Sequence, residues 1–175
     1  LCRELDDRGH EVTALARNPA EGDLPDGVHT VEGDVTTYDS IEDAFEGQDA
    51  VVNLVALSPL FEPSGGNQMH DIVHRKGTEN CLRAAREHDV PRFVQMSALG
   101  ADPDGDTAYI RAKGRAEASV TDSDRDWVVF RPSVVFGEGG EFVSFTKRLK
   151  KLFAPGVPLY PLPGGGSTRF QPIWV

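Results

Sequence analysis

Short apolar runs alternate along the chain with stretches in which apolar residues recur at helical spacing. The apolar runs have the length and the bounding turn residues of β-strands. They predict strands at residues 11–16, 27–31, 49–57, 92–96 and 127–130, and a short further strand at residues 170–175. Helical spacing and helix-ending glycines predict helices at residues 1–8, 41–45, 68–88, 107–120 and 142–153.

The alternation of strands with helices is typical of βαβ units and predicts an α/β fold, a doubly wound parallel sheet of the Rossmann type. Such a sheet opens with a strand and a Gly-rich turn before its first helix. Because the sequence starts within a helix, we expect this first strand and its Gly-rich loop to be lacking from it. We assign residues 1–153 to the Rossmann domain and residues 154–175 to the start of a smaller, substrate-side segment.

The charge of the chain is strongly negative, with 28 Asp and Glu against 18 Lys and Arg and a formal net charge of −10. Nucleic acid is thereby excluded as a partner, because phosphate backbones are bound by clustered Lys and Arg. A basic run at residues 147–151 is interpreted as the solvated face of one helix. Lysine is scarce beside arginine, and we interpret this acidic composition as halophilic, that is, suited to solubility at high salt.

Other classes of site are poorly supported by the sequence. Cys2 and Cys81 are too few for a disulfide framework or a zinc site. His70 and His74 have the spacing of a metal-binding pair, but no third ligand accompanies them, and we predict no metal site. No apolar run approaches the roughly 20 residues of a membrane helix, and no secretory signal opens the sequence. These features favour a cytoplasmic protein without a membrane span.

The candidate catalytic pair is Tyr109 and Lys113, which stand four residues apart in a predicted helix. Side chains at this spacing share one helix face. A nearby ammonium group stabilises a tyrosinate and lowers the pKa of the phenol, which suits the phenol to acid–base chemistry. The pair follows a strand and the polar turn that begins at Ser97, which is the position of the motif in a known enzyme family.

Five motifs, in order and spacing, resemble the extended or atypical short-chain dehydrogenase/reductase (SDR) family, which is related to NAD-dependent epimerases and dehydratases. They are Gly33-Asp34-Val35, Asn53-Leu54-Val55-Ala56, Gly77-Thr78 with Ala84-Ala85, Tyr109-x-x-x-Lys113, and Arg131-Pro132-Ser133-Val134-Val135-Phe136-Gly137. Residues 97–101 and 169–172 resemble the branch that includes the SDR-like accessory subunit of respiratory complex I, an NADH dehydrogenase. The similarity covers nearly the whole chain.

The resemblance implies roles for these positions. Asp34 and Val35 would sit beside the adenine, and Val55 and Ala56 would line the cofactor at the end of a strand. Lys113 would also hold the nicotinamide ribose, and Tyr109 would be the acid or base. The residues implied to flank the nicotinamide are Pro132, Ser133, Val134 and Val135. Core packing is the alternative role for the apolar members of this set.

Two positions depart from the family pattern. The family uses a serine on the strand before the tyrosine helix to hold the substrate oxygen, and Ser97 is the candidate. In extended members that serine often stands one or two places later, where this chain has Ala98 and Leu99. The family's asparagine before Gly-Thr, which supports the proton relay, is replaced by His74. Both departures weaken the catalytic hypothesis.

Arg17 bears on the choice of cofactor. An acidic residue at the end of the second Rossmann strand binds the ribose 2′-hydroxyl and selects NAD, whereas an arginine accommodates a 2′-phosphate. No acidic residue stands there, and Arg17 directly follows the predicted strand 11–16. The sequence therefore favours NADP(H), with NAD(H) as the alternative.

Two functions from different classes fit these features. The first is an NADP(H)-dependent oxidoreductase or epimerase/dehydratase acting on an unidentified small molecule, with Tyr109 moving the proton. The second is a non-catalytic NADP(H)-binding accessory subunit or redox sensor associated with a respiratory NADH dehydrogenase complex, peripheral to the membrane through that complex. Either a homodimer or such an association is expected as the assembled state.

Overall fold

A computed structural model of the 175-residue chain describes residues 1–137, 140–156 and 171–174. They form two compact units, Leu1–Phe130 and Arg131–Val175, each of which is described by itself. The strands pair in parallel with helices between them, which confirms the predicted α/β fold of the Rossmann type. The predicted division at residues 153 and 154 stays a prediction.

The first unit contains most of the regular structure. Its strands are β1 Thr13–Ala16, β2 His29–Glu32, β3 Ala50–Asn53, β4 Arg92–Met96 and β5 Asp126–Phe130. Its α-helices are α1 Cys2–Asp7, α2 Gln68–His70, α3 Gly77–Glu87 and α4 Ala108–Thr121, with a π-helical segment, Asp71–Lys76, between α2 and α3. Short 3₁₀ turns occupy Pro19–Glu21, Tyr38–Ser40 and Glu42–Phe45.

The five strands form two parallel sheets. β1 pairs with β2, and β4 lies between β3 and β5. A groove separates β1 from β3 and is lined by apolar side chains of both strands, including Leu15 and Val51. The strand order 3-2-1-4-5-6 of a Rossmann sheet has one further strand at this place. Val52, on the β3 side of the groove, is 40% exposed as a result.

The core lies where α3 packs on the sheets. α3 contributes small side chains, Cys81, Ala84 and Ala85, which let the helix approach closely. They pack with Phe93 and other buried apolar residues, namely Val35, Ile41, Phe45, Val90 and Val120. The approach is closest at Gly77, where an added Cβ atom would lie 2.7 Å from Cγ2 of Val35.

The helix predicted at residues 41–45 is observed as the 3₁₀ turn Glu42–Phe45, and the strands predicted at 11–16 and 27–31 are observed at Thr13–Ala16 and His29–Glu32. Two further elements differ for identifiable reasons. The strand predicted at residues 49–57 ends at Asn53, because the Asn53 side-chain oxygen accepts a hydrogen bond from the Val55 amide at 3.1 Å. This local bond competes with the sheet ladder and turns the backbone out of it. The helix predicted at residues 68–88 is helical from Gln68 to Glu87, but its middle is the π-helical Asp71–Lys76.

The described residues of the second unit contain a small parallel pair and one helix. β6 Val135–Phe136 pairs with β7 Ile173–Trp174, and α5 Glu141–Phe153 follows β6 in the chain. The strand predicted at residues 170–175 corresponds to β7, although Phe170 and Val175 lie outside the described residues. Among the described residues, no helix has the length and apolar character needed to cross a lipid bilayer.

Candidate functional site

A cavity of about 540 Å³ opens at the carboxyl ends of β1, β2 and β3. Ligands of open parallel sheets bind at this edge, outside the carboxyl ends of the strands. Five residues predicted to contact a cofactor lie together in its wall: Arg17, Asp34, Val35, Val55 and Ala56. The other wall residues are mostly apolar and include Phe61, Met69 and Val73.

The turn after β2 fixes Asp34 as a carboxylate at the cavity wall. The Thr36 amide and hydroxyl donate to Asp34 Oδ1 at 2.8 and 2.7 Å. These bonds, with a smaller contribution from the positive charge of Arg17, hold the pKa of Asp34 below its usual range. A side chain at Gly33 would overlap the carbonyl oxygen of Ser40, so the turn requires glycine at this place.

Arg17 follows the last residue of β1, and its side chain is exposed at the cavity wall. It forms no hydrogen bond or ion pair with another residue of the described ranges. A second shallow depression beside it is lined by Ala16, Asn18 and Glu21. The guanidinium group is thus available to an anion at the rim of the cavity.

A buried polar network, which sequence reasoning missed, contacts the cavity wall at Val55, whose amide donates to the Asn53 side chain. Asn53 Nδ2 donates to Thr78 Oγ1 at 3.1 Å and to Gln95 Oε1 at 3.0 Å. Asn53 and Gln95 are register partners on β3 and β4, and both are buried. The sequence feature that could have indicated this network is one side-chain amide in each of two otherwise largely apolar strands, Asn53 in β3 and Gln95 in β4.

Tyr109 and Lys113 lie on α4, whose first turn is capped by the Thr107 hydroxyl. Lys113 is buried, and its Nζ donates to the Met96 carbonyl at 3.0 Å and lies 6.0 Å from the centre of the Tyr109 ring. Burial lowers the pKa of Lys113 to about 8 and raises the pKa of Tyr109. The direction for Tyr109 is opposite to the lowered pKa that we expected from the Tyr–Lys spacing.

Ser97 directly follows β4 and is buried. Its amide donates to the Phe130 carbonyl at 2.8 Å, whereas its hydroxyl has no hydrogen-bond partner within the described parts of the chain. Of the two alternative positions for a serine, Ala98 is buried and Leu99 is 56% exposed. Tyr109, Lys113 and Ser97 do not line the cavity at the strand ends.

Two histidines form an aromatic cluster with Tyr109. The His70 and His74 rings stack with their centroids 5.6 Å apart, and each meets the Tyr109 ring edge-on, at 5.6 and 5.4 Å. Burial, with the charges of Lys113 and His70 as smaller causes, lowers the pKa of His74 to about 3. Within residues 1–137, 140–156 and 171–174, no group of three or more His, Cys, Asp or Glu side chains could hold a metal ion.

The residues predicted to flank the nicotinamide, Pro132, Ser133, Val134 and Val135, belong to the second unit. Val134 accepts a hydrogen bond from the Ile173 amide at 2.8 Å, and Val135 begins β6. Their role toward a cofactor remains a prediction.

Comparison with known proteins adds the following similarities. A family model described as NAD(P)H-binding matches residues 1–153. The mitochondrial NADH dehydrogenase [ubiquinone] 1 alpha subcomplex subunit 9 of Arabidopsis thaliana is 28% identical over 78% of this chain and 32% of its own length. The 2-alkyl-3-oxoalkanoate reductase of Stenotrophomonas maltophilia is 29% identical over 100% of this chain and 57% of its own length.

Among solved structures, the Bordetella bronchiseptica enzyme WbmH in complex with NAD+ has the same fold. It superposes with a TM-score of 0.67 at 24% identity, over 85% of this chain and 57% of that chain. The chain thus spans between about a third and somewhat more than half of the length of these three proteins.

Proposed function

Because the chain belongs to a family of NAD(P)H-binding proteins of the SDR type, we propose that it is an NADP(H)-dependent oxidoreductase or epimerase/dehydratase. The observation that carries the proposal is the cavity at the carboxyl ends of three strands, whose wall contains five of the six cofactor-binding residues predicted in the first unit. The sixth, Lys113, does not line it. Its apolar lining, its glycine turn and its free guanidinium group fit an extended dinucleotide with apolar rings and anionic phosphates.

We propose NADP(H) rather than NAD(H) because of the charges at the rim. Arg17 is exposed and unpaired among the described residues, and Asp34 is a carboxylate already held by Thr36. A 2′-phosphate placed at Arg17 gains charge-assisted hydrogen bonds, which are about twice as strong as neutral ones. Oδ1 of Asp34 already accepts two hydrogen bonds from Thr36, which leaves this carboxylate only Oδ2 for a ribose 2′-hydroxyl.

The chain's own residues supply proton chemistry. A bound nicotinamide dinucleotide supplies or accepts the hydride in proteins of this type. Tyr109 exchanges a proton with the substrate oxygen, and Lys113, whose pKa of about 8 leaves it mostly charged at neutral pH, stabilises the resulting phenolate. Ser97 offers a buried hydroxyl without a partner among the described residues for the substrate oxygen.

Nucleotide titration of the full chain tests the proposal. We expect NADPH to bind more tightly than NADH, and Arg17→Ala to weaken NADPH binding about tenfold to a hundredfold while leaving NADH nearly unchanged. Arg92→Ala, which removes an exposed arginine at the amino end of β4, is the matched control. Binding of neither nucleotide would refute the proposal, and equal binding of both would refute the NADP(H) preference.

The second proposed function is a non-catalytic NADP(H)-binding accessory subunit or redox sensor of a respiratory NADH dehydrogenase complex. The similarity to the Arabidopsis thaliana subunit favours it, as do Ala98 and Leu99 at the usual serine positions. As a subunit, the protein is peripheral to a membrane through the complex. As an enzyme, it is a cytoplasmic homodimer. The acidic composition suits the protein to solubility at high salt in both cases. Turnover that is lost in Tyr109→Phe supports the enzyme, and co-purification with a membrane complex supports the subunit.

A further inference from the structure

One helical run separates the cavity from Tyr109. Met69 and Val73 of this run line the cavity, whereas His70 and His74, each one residue later, contact the Tyr109 ring. The π-helical segment Asp71–Lys76 begins directly after His70 and contains His74. π-Helical turns are rare and occur frequently at functional sites. Residues 69–74 therefore contact the proposed nucleotide cavity with one side and Tyr109, the proposed acid, with the other.

His74 also forms a hydrogen bond with a second segment of the cavity wall. Its Nε2 accepts a hydrogen bond from the Leu57 amide at 3.4 Å, and Leu57 lines the cavity with Val55 and Ala56. Because Nε2 accepts, the proton of the neutral ring is assigned to Nδ1. The ring is 2% exposed, and burial keeps it neutral at physiological pH by lowering its pKa to about 3.

We infer that His74 is a positioning residue that ties the segment 55–57 of the cavity wall to the ring of Tyr109. A nucleotide that orders this segment thereby also fixes the ring against which Tyr109 packs. The inference rests on the proposed function, because it takes the cavity to be the dinucleotide site. His70 supports the His74 ring by stacking, with an interplanar angle of 7°, but forms no hydrogen bond with segment 55–57.

Packing alone does not account for a histidine at this position. A buried ring nitrogen without a partner costs free energy that a phenyl ring of similar shape avoids. Nδ1 of His74 has no hydrogen-bond partner among the described residues, whereas Nε2 accepts a hydrogen bond from the Leu57 amide. A backbone hydrogen bond at Val55 also acts on the ring and partly offsets the lowering of its pKa. Nε2 is thus the atom that distinguishes a positioning role of His74, which needs the hydrogen bond to this nitrogen, from a packing role, which does not.

Two substitutions separate the two nitrogens. In His74→Gln the side-chain oxygen can take the place of Nε2, whereas in His74→Asn the shorter amide takes the place of Nδ1 and cannot reach the Leu57 amide. His70→Phe keeps the stacked ring and serves as the matched control. The primary measurement is hydrogen exchange of the Leu57 amide in the nucleotide-free full chain, which does not depend on any activity.

We expect exchange of the Leu57 amide to be about tenfold faster or more in His74→Asn and nearly unchanged in His74→Gln and His70→Phe. We also expect NADPH to bind about tenfold more weakly to His74→Asn, and with nearly unchanged affinity to His74→Gln and His70→Phe. Leu57 exchange that is equal in the Gln and Asn variants overturns the inference. Failure of the unsubstituted protein to bind either nucleotide overturns the proposed function instead, and Leu57 exchange still decides whether His74 holds segment 55–57.

A second measurement keeps the inference falsifiable if His74→Asn does not fold. The ¹⁵N chemical shifts of the His74 ring in the unsubstituted protein report which nitrogen carries the proton. We expect a protonated Nδ1 and a bare Nε2 from pH 6 to pH 8. A proton on Nε2 in this range excludes acceptance from the Leu57 amide and overturns the inference.

Discussion

Lowering the pH from 7 to 5 should destabilise the protein through His74. The ordinary pKa of histidine is 6.5, and in the folded chain burial lowers the pKa of His74 to about 3. Between these two values the unfolded state binds a proton that the folded state does not bind. Stability is therefore fully present above pH 6.5 and is lost progressively as the pH falls toward 3.

The magnitude follows from the width of that window. Each pH unit between the two pKa values costs about 1.4 kcal/mol, and pH 5 lies about 1.5 units below the ordinary histidine pKa. The loss of unfolding free energy between pH 7 and pH 5 is then about 2 kcal/mol from His74 alone. His70, whose pKa is also lowered by burial, acts in the same direction.

Urea denaturation at both pH values measures this loss. His74→Gln removes the titrating ring, so its unfolding free energy should fall by about 2 kcal/mol less than that of the unsubstituted protein. His29→Gln, at an exposed position in β2, controls for the general effect of removing a histidine. Equal losses in the unsubstituted protein and in His74→Gln would refute the burial of a neutral His74.

Three further predictions concern buried polar groups and close packing. Lys113→Met should abolish turnover yet raise the unfolding free energy at pH 7 by about 1–3 kcal/mol, because it removes a buried charge; a lower unfolding free energy would contradict this. Asn53→Ala should cost about 2–4 kcal/mol in urea denaturation, because it leaves Gln95 and Thr78 without their partner; a cost below about 1 kcal/mol would contradict the network. Helix propensity alone would raise the unfolding free energy of Gly114→Ala by about 1 kcal/mol, but the added Cβ atom overlaps the backbone at Asp102. Calorimetry should therefore show a lower melting temperature, and a higher one would contradict this close packing.

The order of strands and helices could be predicted because each predicted element has its own periodicity. β4 was predicted with its observed bounds, since Arg92 and Met96 are flanked by clear turn residues. The strand from residue 49 was predicted too long, because the apolar residues after Asn53 give no sign of the side-chain bond to the Val55 amide. The π-helical turn was missed because its residues have ordinary helical spacing.

The cavity residues were accessible to sequence reasoning because they follow strand ends in chain order, and the carboxyl ends of parallel strands meet at one edge. The cluster of His70, His74 and Tyr109 was not, since it joins two helices more than 30 residues apart in sequence. Its effect on pKa values was also inaccessible. Sequence spacing suggested a lowered pKa for Tyr109, whereas burial, which only packing reveals, raises it.

The close approach of α3 to the turn after β2 links the interior of the fold to the shape of the cavity. An added Cβ atom at Gly77 would lie 2.7 Å from Cγ2 of Val35, and Val35 lines the cavity. A larger residue at position 77 would therefore displace Val35 and reshape the cavity wall, although Gly77 itself is not one of the residues that line it.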